Sequence, residues 1–284
     1  MKSQSTEGKS VLITGCSSGI GRATALFLAR QGCRVYATVR KEKDADALRE
    51  LSLPGLTPLC PLDLPKQDDI SGVFRQVKDD LSRRGEPGLA ALINNAGGGG
   101  VAPIELMDLA VFSAEVQARL VGTVALTQAF LPLLRAGAGR IIWVVTPAII
   151  PTPYVTSIHA CDFAVNCLAR TLEIELKPWH IPNILVRCGG IKTAKGLQTT
   201  AEVEAVLRQP GAGLYRERLT RWQKDMAEFD EKRVEPDEVA RVIWRAVTAV
   251  HPRRRYGLGH MAGAAALLET LPQPLTDAIL GMRF

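Results

Sequence analysis

The sequence predicts an α/β fold of the Rossmann type, a doubly wound parallel sheet in a three-layer α/β/α arrangement. Three observations carry that expectation. Short apolar runs alternate with longer helical patterns from Val11 to Cys188, and strands without a polar face belong in a parallel sheet covered on both sides. The first run leads directly into a glycine-rich turn that opens a helix. The chain has 284 residues, 46% hydrophobic and 23% charged, which suits one large buried core.

Taken in order, the strand candidates are 11–14, 35–38, 56–59, 89–93, 140–145 and 184–188. Helical patterns lie between them at about 20–31, 43–51, 67–84, 108–136 and 157–177, where apolar residues recur at helical spacing. The ligand crevice of such a sheet lies outside the carboxyl ends of its strands. No composition shift marks a second domain and no repeat is visible, so 1–284 is expected as one domain. It divides into a polar tail (1–8), a cofactor-binding core (about 9–193), a polar, helix-prone flap (about 194–235) and a C-terminal helix, strand and tail (236–284). A flap over the crevice is where substrate selectivity usually resides.

A net charge of +6 is mild at this length. The one dense basic run, Arg253-Arg254-Arg255, sits in a short connection and reads as a solvated loop, so no nucleic-acid partner is expected. Cys16, Cys33, Cys60, Cys161, Cys167 and Cys188 show neither Cys-x-x-Cys spacing nor ligand-spaced histidines. No disulfide framework or metal site follows from them, and reduced thiols fit a cytoplasmic compartment. Residues 1–10 are polar, unlike a signal peptide, and no apolar run is expected to reach the length of a membrane span. The apolar tail segments 261–268 and 271–280 read as core or oligomer packing rather than membrane contact.

The sharpest motif is Thr14-Gly15-Cys16-Ser17-Ser18-Gly19-Ile20-Gly21, directly after the first strand and opening the first helix. Glycine allows the tight turn and lets backbone approach a pyrophosphate, which the unpaired N–H groups of a helix N-terminus attract. Gly15, Ser17, Ser18, Gly19, Ile20 and Gly21 are therefore cofactor-binding candidates. The spacing Thr-Gly-x-x-x-Gly-x-Gly resembles the short-chain dehydrogenase/reductase family, and over about residues 9–195 other motifs are similar in register. Asn94-Asn95-Ala96-Gly97 follows the fourth strand, so Asn94, Ala96 and Gly97 join the cofactor set. By the same resemblance Asp63 stands where a carboxylate meets the adenine amine. Gly189-Gly190-Ile191-Lys192-Thr193 resembles the family's Pro-Gly-x-x-x-Thr segment, with Cys188 in place of proline. Gly190 and Thr193 are its candidates, the threonine as holder of the carboxamide.

Cofactor type follows from charge. After the second strand, Ala37-Thr38-Val39-Arg40-Lys41 offers no carboxylate for a free ribose 2′-hydroxyl, whereas Arg40 suits a 2′-phosphate. NADP(H) is expected over NAD(H), with Lys41 or Arg22 assisting. The alternative reading is an exposed loop arginine.

The resemblance also implies a tyrosine as general acid/base, a lysine four residues later, a serine and an asparagine. Gly122-Thr123, Gln128 and Pro132 set a register that puts Arg119 at the asparagine, and Arg140-Ile141-Ile142 puts Thr146 at the serine. Phe163-Ala164-Val165 and Thr171-Leu172-Glu173 put Ile158 at the tyrosine and Asp162 at the lysine. A one-residue slip would put His159 at the tyrosine, and no slip recovers a Tyr-x-x-x-Lys pair. Isoleucine transfers no proton and aspartate is no cation, so alcohol–ketone interconversion lacks its usual proton donor.

The catalytic candidates are Asp162, Arg119, Thr146 and His159. On an ideal helix Arg119 lies within about 40° of Phe112, Val116 and Thr123 on the apolar face, and burial there requires a partner. Asp162, one turn past Ile158, supplies one, either as working chemistry or as a structural ion pair. Three functional readings stand. The first is a reductase of an iminium or other activated acceptor of secondary metabolism, which needs hydride but no proton on oxygen. The loss is similar to that in some fungal short-chain reductases of indole-alkaloid pathways, which couple iminium reduction to a Diels–Alder cyclisation. The second is a redox-neutral cyclase or isomerase. The third is a catalytically inactive NADP(H)-binding protein. The substrate is expected to be a small-molecule ligand of moderately large, apolar character, with Trp143, Tyr154, Tyr215 and Trp222 near the site. The helices at 108–136 and 157–177 are those through which the resembling family forms dimers or tetramers, so a homodimer or homotetramer is expected.

Overall fold

The computed structural model describes residues 8–147 and 149–283, and the side chains among them apart from 194–200 and 282–283. The polar tail expected at 1–8 thus lies almost wholly outside the described residues. The first half runs β1 (Ser10–Ile13), α1 (Gly19–Arg30), β2 (Arg34–Thr38), α2 (Glu42–Arg49), β3 (Leu56–Leu59), α3 (Gln67–Arg83) and β4 (Ala91–Asn94). A 3-10 turn (Ile104–Leu106) then leads to α4 (Leu109–Glu115), a π-helical turn (Val116–Gly122), α5 (Thr123–Ala136), β5 (Arg140–Val145), α6 (Thr156–Glu175) and β6 (Asn183–Cys188). The flap holds α7 (Ala194–Leu207), a 3-10 turn (Ala212–Leu214) and α8 (Arg216–Glu231). After it come α9 (Pro236–Thr248), β7 (Arg255–Leu258), α10 (Ala262–Leu268) and α11 (Gln273–Arg283).

The strands form one seven-stranded sheet in the order β3-β2-β1-β4-β5-β6-β7, and every described pairing is parallel. The chain winds one way from β1 to β3 and the other way from β4 onward. The reversal between β1 and β4 opens the crevice at their carboxyl ends. Alternate residues of each strand feed opposite layers. Ile142 of β5 faces α1, α2 and α9 with Ala25, Leu48 and Ile243. Its neighbour Trp143 faces α3, α5 and α6 with Ile70, Phe130 and Val165. Each fully buried large side chain contributes about 1.5–3 kcal/mol of transfer free energy, so the two layers hold the crevice rigidly from beneath. A third, smaller apolar cluster joins the loop after β4 to the flap through Val101, Ala102, Met107, Val203, Leu219 and Trp222.

Three expectations change. Arg255 is not in a loop: it opens the edge strand β7, and the Arg254 carbonyl accepts the Leu185 N–H at 2.9 Å. Trp143 does not approach the crevice, because strand alternation buries it and its indole N–H donates to Asn183 at 3.3 Å. A helical stretch does reach membrane-spanning length by length and composition, the 28 residues Leu109–Ala136. It arises because the π turn joins α4 and α5 into one rod, and α5 packs on α3 and β4.

Candidate active site and cofactor crevice

On the β1–β4 side the crevice is built from backbone. Gly15 (φ +74°) and Gly19 (φ +54°) hold left-handed conformations that cost other residues about 1 kcal/mol or more. A side chain on Gly21 would collide with the Gly15 carbonyl. The Thr14 hydroxyl accepts the N–H groups of Asn95 (3.0 Å) and Ala96 (2.9 Å), and Asn95 Nδ2 donates to the Thr14 carbonyl at 2.9 Å. These bonds tie the turn after β1 to the turn after β4. Ser17 and Ser18 are exposed, and Ser18 stands at the N-cap of α1 without a side-chain capping bond. Ile20 packs on the core beneath.

The remaining cofactor candidates fall into two groups. Thr193 comes to the glycine turn, its methyl 3.2 Å from where a Cβ on Gly19 would stand. Arg40 is exposed just past β2, and the Asp63 carboxylate is 3.5 Å from Lys66 Nζ. Asn94 turns away: its Nδ2 donates to the Thr127 hydroxyl of α5 at 3.3 Å. Asn95 is thus the side chain that shapes the turn, and strand alternation is the signal that distinguishes the two neighbours. Gly190 is held by His260 and Val234 and packs under Phe229, whose ring is 2.7 Å from a Cβ built there.

The opposite half is built from side chains. Arg119 lies in the π turn, so the ideal-helix wheel does not apply: the wider turn re-aims the residue, as such turns do at functional sites. Its Nε donates to Asp162 Oδ1 at 2.6 Å, and the Thr146 N–H donates to Asp162 Oδ2 at 2.7 Å. Asp162 is 1% exposed, and both its oxygens are engaged. Glu115, four residues before Arg119 and missed from sequence, is buried as well; its Oε1 lies 3.7 Å from Arg119 Nη1 and accepts the Gly98 N–H at 3.3 Å. The i,i+4 spacing to Arg119 was the available signal. Burial pulls the Arg119 pKa down, but Asp162 and Glu115 more than reverse this and hold it above the ordinary arginine range. Two buried carboxyl groups thus flank one guanidinium.

Gly97, Gly98, Gly99 and Gly100 thread between these groups. Side chains on Gly97 and Gly99 would collide with Arg119 and Ile158, and Ser157 Oγ bonds both the N–H (3.3 Å) and the carbonyl (3.2 Å) of Gly100. Ile158 therefore packs on the glycine run. His159 turns aside, with Nδ1 3.2 Å from the Ile150 carbonyl; burial lowers its pKa, so the neutral ring prevails. The Thr146 hydroxyl has no hydrogen-bond partner among the described residues. Above the site, Tyr154 (φ +69°) meets Trp222 edge-on at 6.0 Å.

The sequence model of short chain dehydrogenases matches residues 9–204. Among curated relatives, human 11-beta-hydroxysteroid dehydrogenase type 2 is 34% identical over 270 residues, covering 89% of this chain and 65% of its own length. Human 17-beta-hydroxysteroid dehydrogenase type 1 is 31% identical, covering 87% of this chain and 76% of the relative. Retinol dehydrogenase 16 of Mus musculus is 29% identical, covering 96% and 88%. Among solved structures, a short-chain dehydrogenase from Streptomyces avermitilis superposes with a TM-score of 0.74 at 23% identity over 99% of both chains. One from Burkholderia cenocepacia, in complex with NADP, gives 0.74 at 23% over 98% and 99%.

Proposed function

The chain belongs to the short-chain dehydrogenase family, and from that premise we propose that it is an NADP(H)-dependent reductase of an apolar, cationic acceptor such as an iminium. The observation that carries this reading is the 2.6 Å pair between Arg119 and Asp162, standing where the family resemblance calls for a proton relay. The cofactor fits the residues present: the backbone cradle excludes side chains at Gly21, Ser17 and Ser18 are open, and Arg40 offers an exposed cation for a 2′-phosphate. When bound, the nicotinamide supplies hydride. The protein's own part is electrostatic. Asp162 and Glu115 outnumber Arg119, so the floor favours a positive ground state over a neutral ketone. The Thr146 hydroxyl orients the acceptor, and the neutral His159 stays outside the proton chemistry. No residue is needed to protonate oxygen, which resolves the loss of tyrosine. The apolar flap cluster fits an apolar substrate, in line with relatives named for hydroxysteroids and retinol. A homodimer or homotetramer through α5 and α6, in the cytoplasm, completes the reading.

One observation favours a second reading. Both oxygens of Asp162 are engaged by protein donors, and Ile158 packs on the glycine run, which suits a redox-neutral pocket or a non-catalytic NADP(H)-binding protein. The test is stepwise. Purified protein is titrated with NADPH and NADH, then NADPH oxidation is followed with a cyclic iminium and with the matching ketone. Tight NADPH binding and turnover of the iminium alone supports the reductase. Binding without turnover of either leaves the second reading, and absence of binding to either ends the reductase reading and leaves a redox-neutral pocket or a scaffold.

A further inference from the structure

We infer that the groove between the second half of α6 and the edge strand β7 binds a small molecule carrying several phosphate groups in a row. The groove has a volume of about 790 Å³, and Arg170, Lys177, Arg254 and Arg255 line it together with Glu173 and Asn183. That volume falls within the roughly 300–1,000 Å³ of small-molecule sites. The groove stands apart from the crevice. Asn183 opens β6 and Arg255 opens β7, so it lies at the amino ends of parallel strands whose carboxyl ends face the crevice. The helix α5 packs on α3 and β4, and β7 is at the other edge of the sheet order, so the groove opens on the flank of α6 turned away from α5.

Four cations share this recess, and the chain's own carboxylates do little to offset them. Glu173, the one carboxylate in the lining, accepts the Asn183 N–H at 3.0 Å and lies 3.5 Å from Arg254 Nε. Glu269 is 3.9 Å from Arg255 Nη1 but is bonded twice by the buried Arg187. Glu175 is exposed on α6 and lies outside the lining. Arg170 and Lys177 are exposed and form no ion pair among the described residues. The Arg254 and Arg255 side chains are 81% and 50% exposed, and ion pairs that open contribute about 1 kcal/mol or less. Fold stability therefore does not account for the gathering, since like charges brought together repel.

Charge and spacing select the ligand. Arg170 and Lys177 are two turns apart on α6, about 10 Å of helix rise, so a row of anionic groups meets both where a single carboxylate does not. A terminal phosphate carries about −1.5 to −2 near pH 7 and three acceptor oxygens. The planar forks of Arg170, Arg254 and Arg255 match such oxygens in pairs. A twofold contact with a second copy would instead set these cations against their own images.

The test is calorimetric titration of the full chain with inorganic tripolyphosphate in metal-free buffer at about 0.1 M salt. Wild type is expected to bind, and R170Q/K177Q to bind at least about tenfold more weakly with an unchanged melting temperature, because neither side chain holds another. Arg40→Ala, past the far end of β2, is expected to leave the binding unchanged. The inference is overturned if wild type does not bind tripolyphosphate, or if R170Q/K177Q binds it as tightly as wild type. It is also overturned if Arg40→Ala removes the binding instead, which places the anion in the crevice. Tighter binding of a DNA duplex than of tripolyphosphate, lost in R170Q/K177Q, would overturn it in favour of a nucleic-acid face.

Discussion

The two halves of the crevice are made of different materials. The β1–β4 half presents backbone: three glycines, in turns tied together by the Thr14 hydroxyl and the Asn95 side chain. The α5–α6 half is side chain, with Arg119 held between Asp162 and Glu115 and the glycine run pressed beneath. The backbone half also bonds the turns of the two strands at which the sheet reverses. The cradle's bonds join the two turns whatever the chemistry, so the proposed hydride transfer is tested in the side-chain half. The family's fold and its reaction are thus separable within one crevice.

The largest expected effect breaks the backbone half. Gly21→Val forces a side chain into the Gly15 carbonyl and should cost about 3 kcal/mol or more, lowering the melting temperature and removing NADPH and NADH binding together. Asp162→Ala tests the other half. It leaves the buried Arg119 with only the more distant Glu115, at an expected cost of about 3 kcal/mol in chemical denaturation. The triple variant E115Q/R119M/D162L should recover most of that loss, because it removes both buried carboxyls together with the guanidinium, and a buried ionic group replaced by neutral side chains is often neutral. If the triple variant is as unstable as Asp162→Ala, the ionic group is not what holds this half together. If both fold but iminium reduction persists, the electrostatic role of Asp162 is wrong.

What sequence could reveal divides along the same line. The parallel, doubly wound sheet and the glycine turn were legible because their signals are local: apolar runs without a polar face, and glycine at fixed offsets after a strand. The side-chain half depended on partners from distant segments. Asp162 was legible as a partner for Arg119 because both sat in registers fixed by flanking motifs. Glu115 offered only its i,i+4 spacing to Arg119, while the Gly98 N–H that it also accepts comes from a separate segment. The π turn was invisible, because one helical residue more per turn is set by packing and leaves no pattern of its own. Asn94 and Asn95 are identical neighbours, and only the direction of β4 sends one to α5 and the other to the turn.

A smaller effect sharpens the cofactor side. Arg40→Ala should weaken NADPH binding by about tenfold or more, the scale of one charge-assisted contact to phosphate, and leave NADH unchanged. A parallel loss for both cofactors in calorimetric titration would move the 2′-phosphate site elsewhere, with Lys41 the next candidate.

The smallest effect concerns His159, whose lowered pKa comes first from burial, partly offset by the Ile150 carbonyl. Above about pH 6.5, the ordinary imidazole value, both folded and unfolded chains carry the neutral ring, and the residue leaves stability independent of pH. Below it, the unfolded chain takes up a proton that the folded protein resists, so the unfolded state binds more protons and stability falls with acidification. The loss runs from about pH 6.5 down to the lowered folded value. Asp80 acts in a separate window: burial would raise it, but Arg84 and Tyr36 hold it below the usual carboxylate range, so its contribution fades only at more acid pH. His159→Phe keeps a ring beside Phe163 and should flatten the urea-midpoint profile just below about pH 6.5 while leaving the lower limb intact. An unflattened profile would place the titrating group elsewhere. Should NADPH turnover follow the same histidine limb in wild type and lose it in the variant, His159 would belong to the chemistry after all, and the electrostatic account of the α5–α6 half would need a proton.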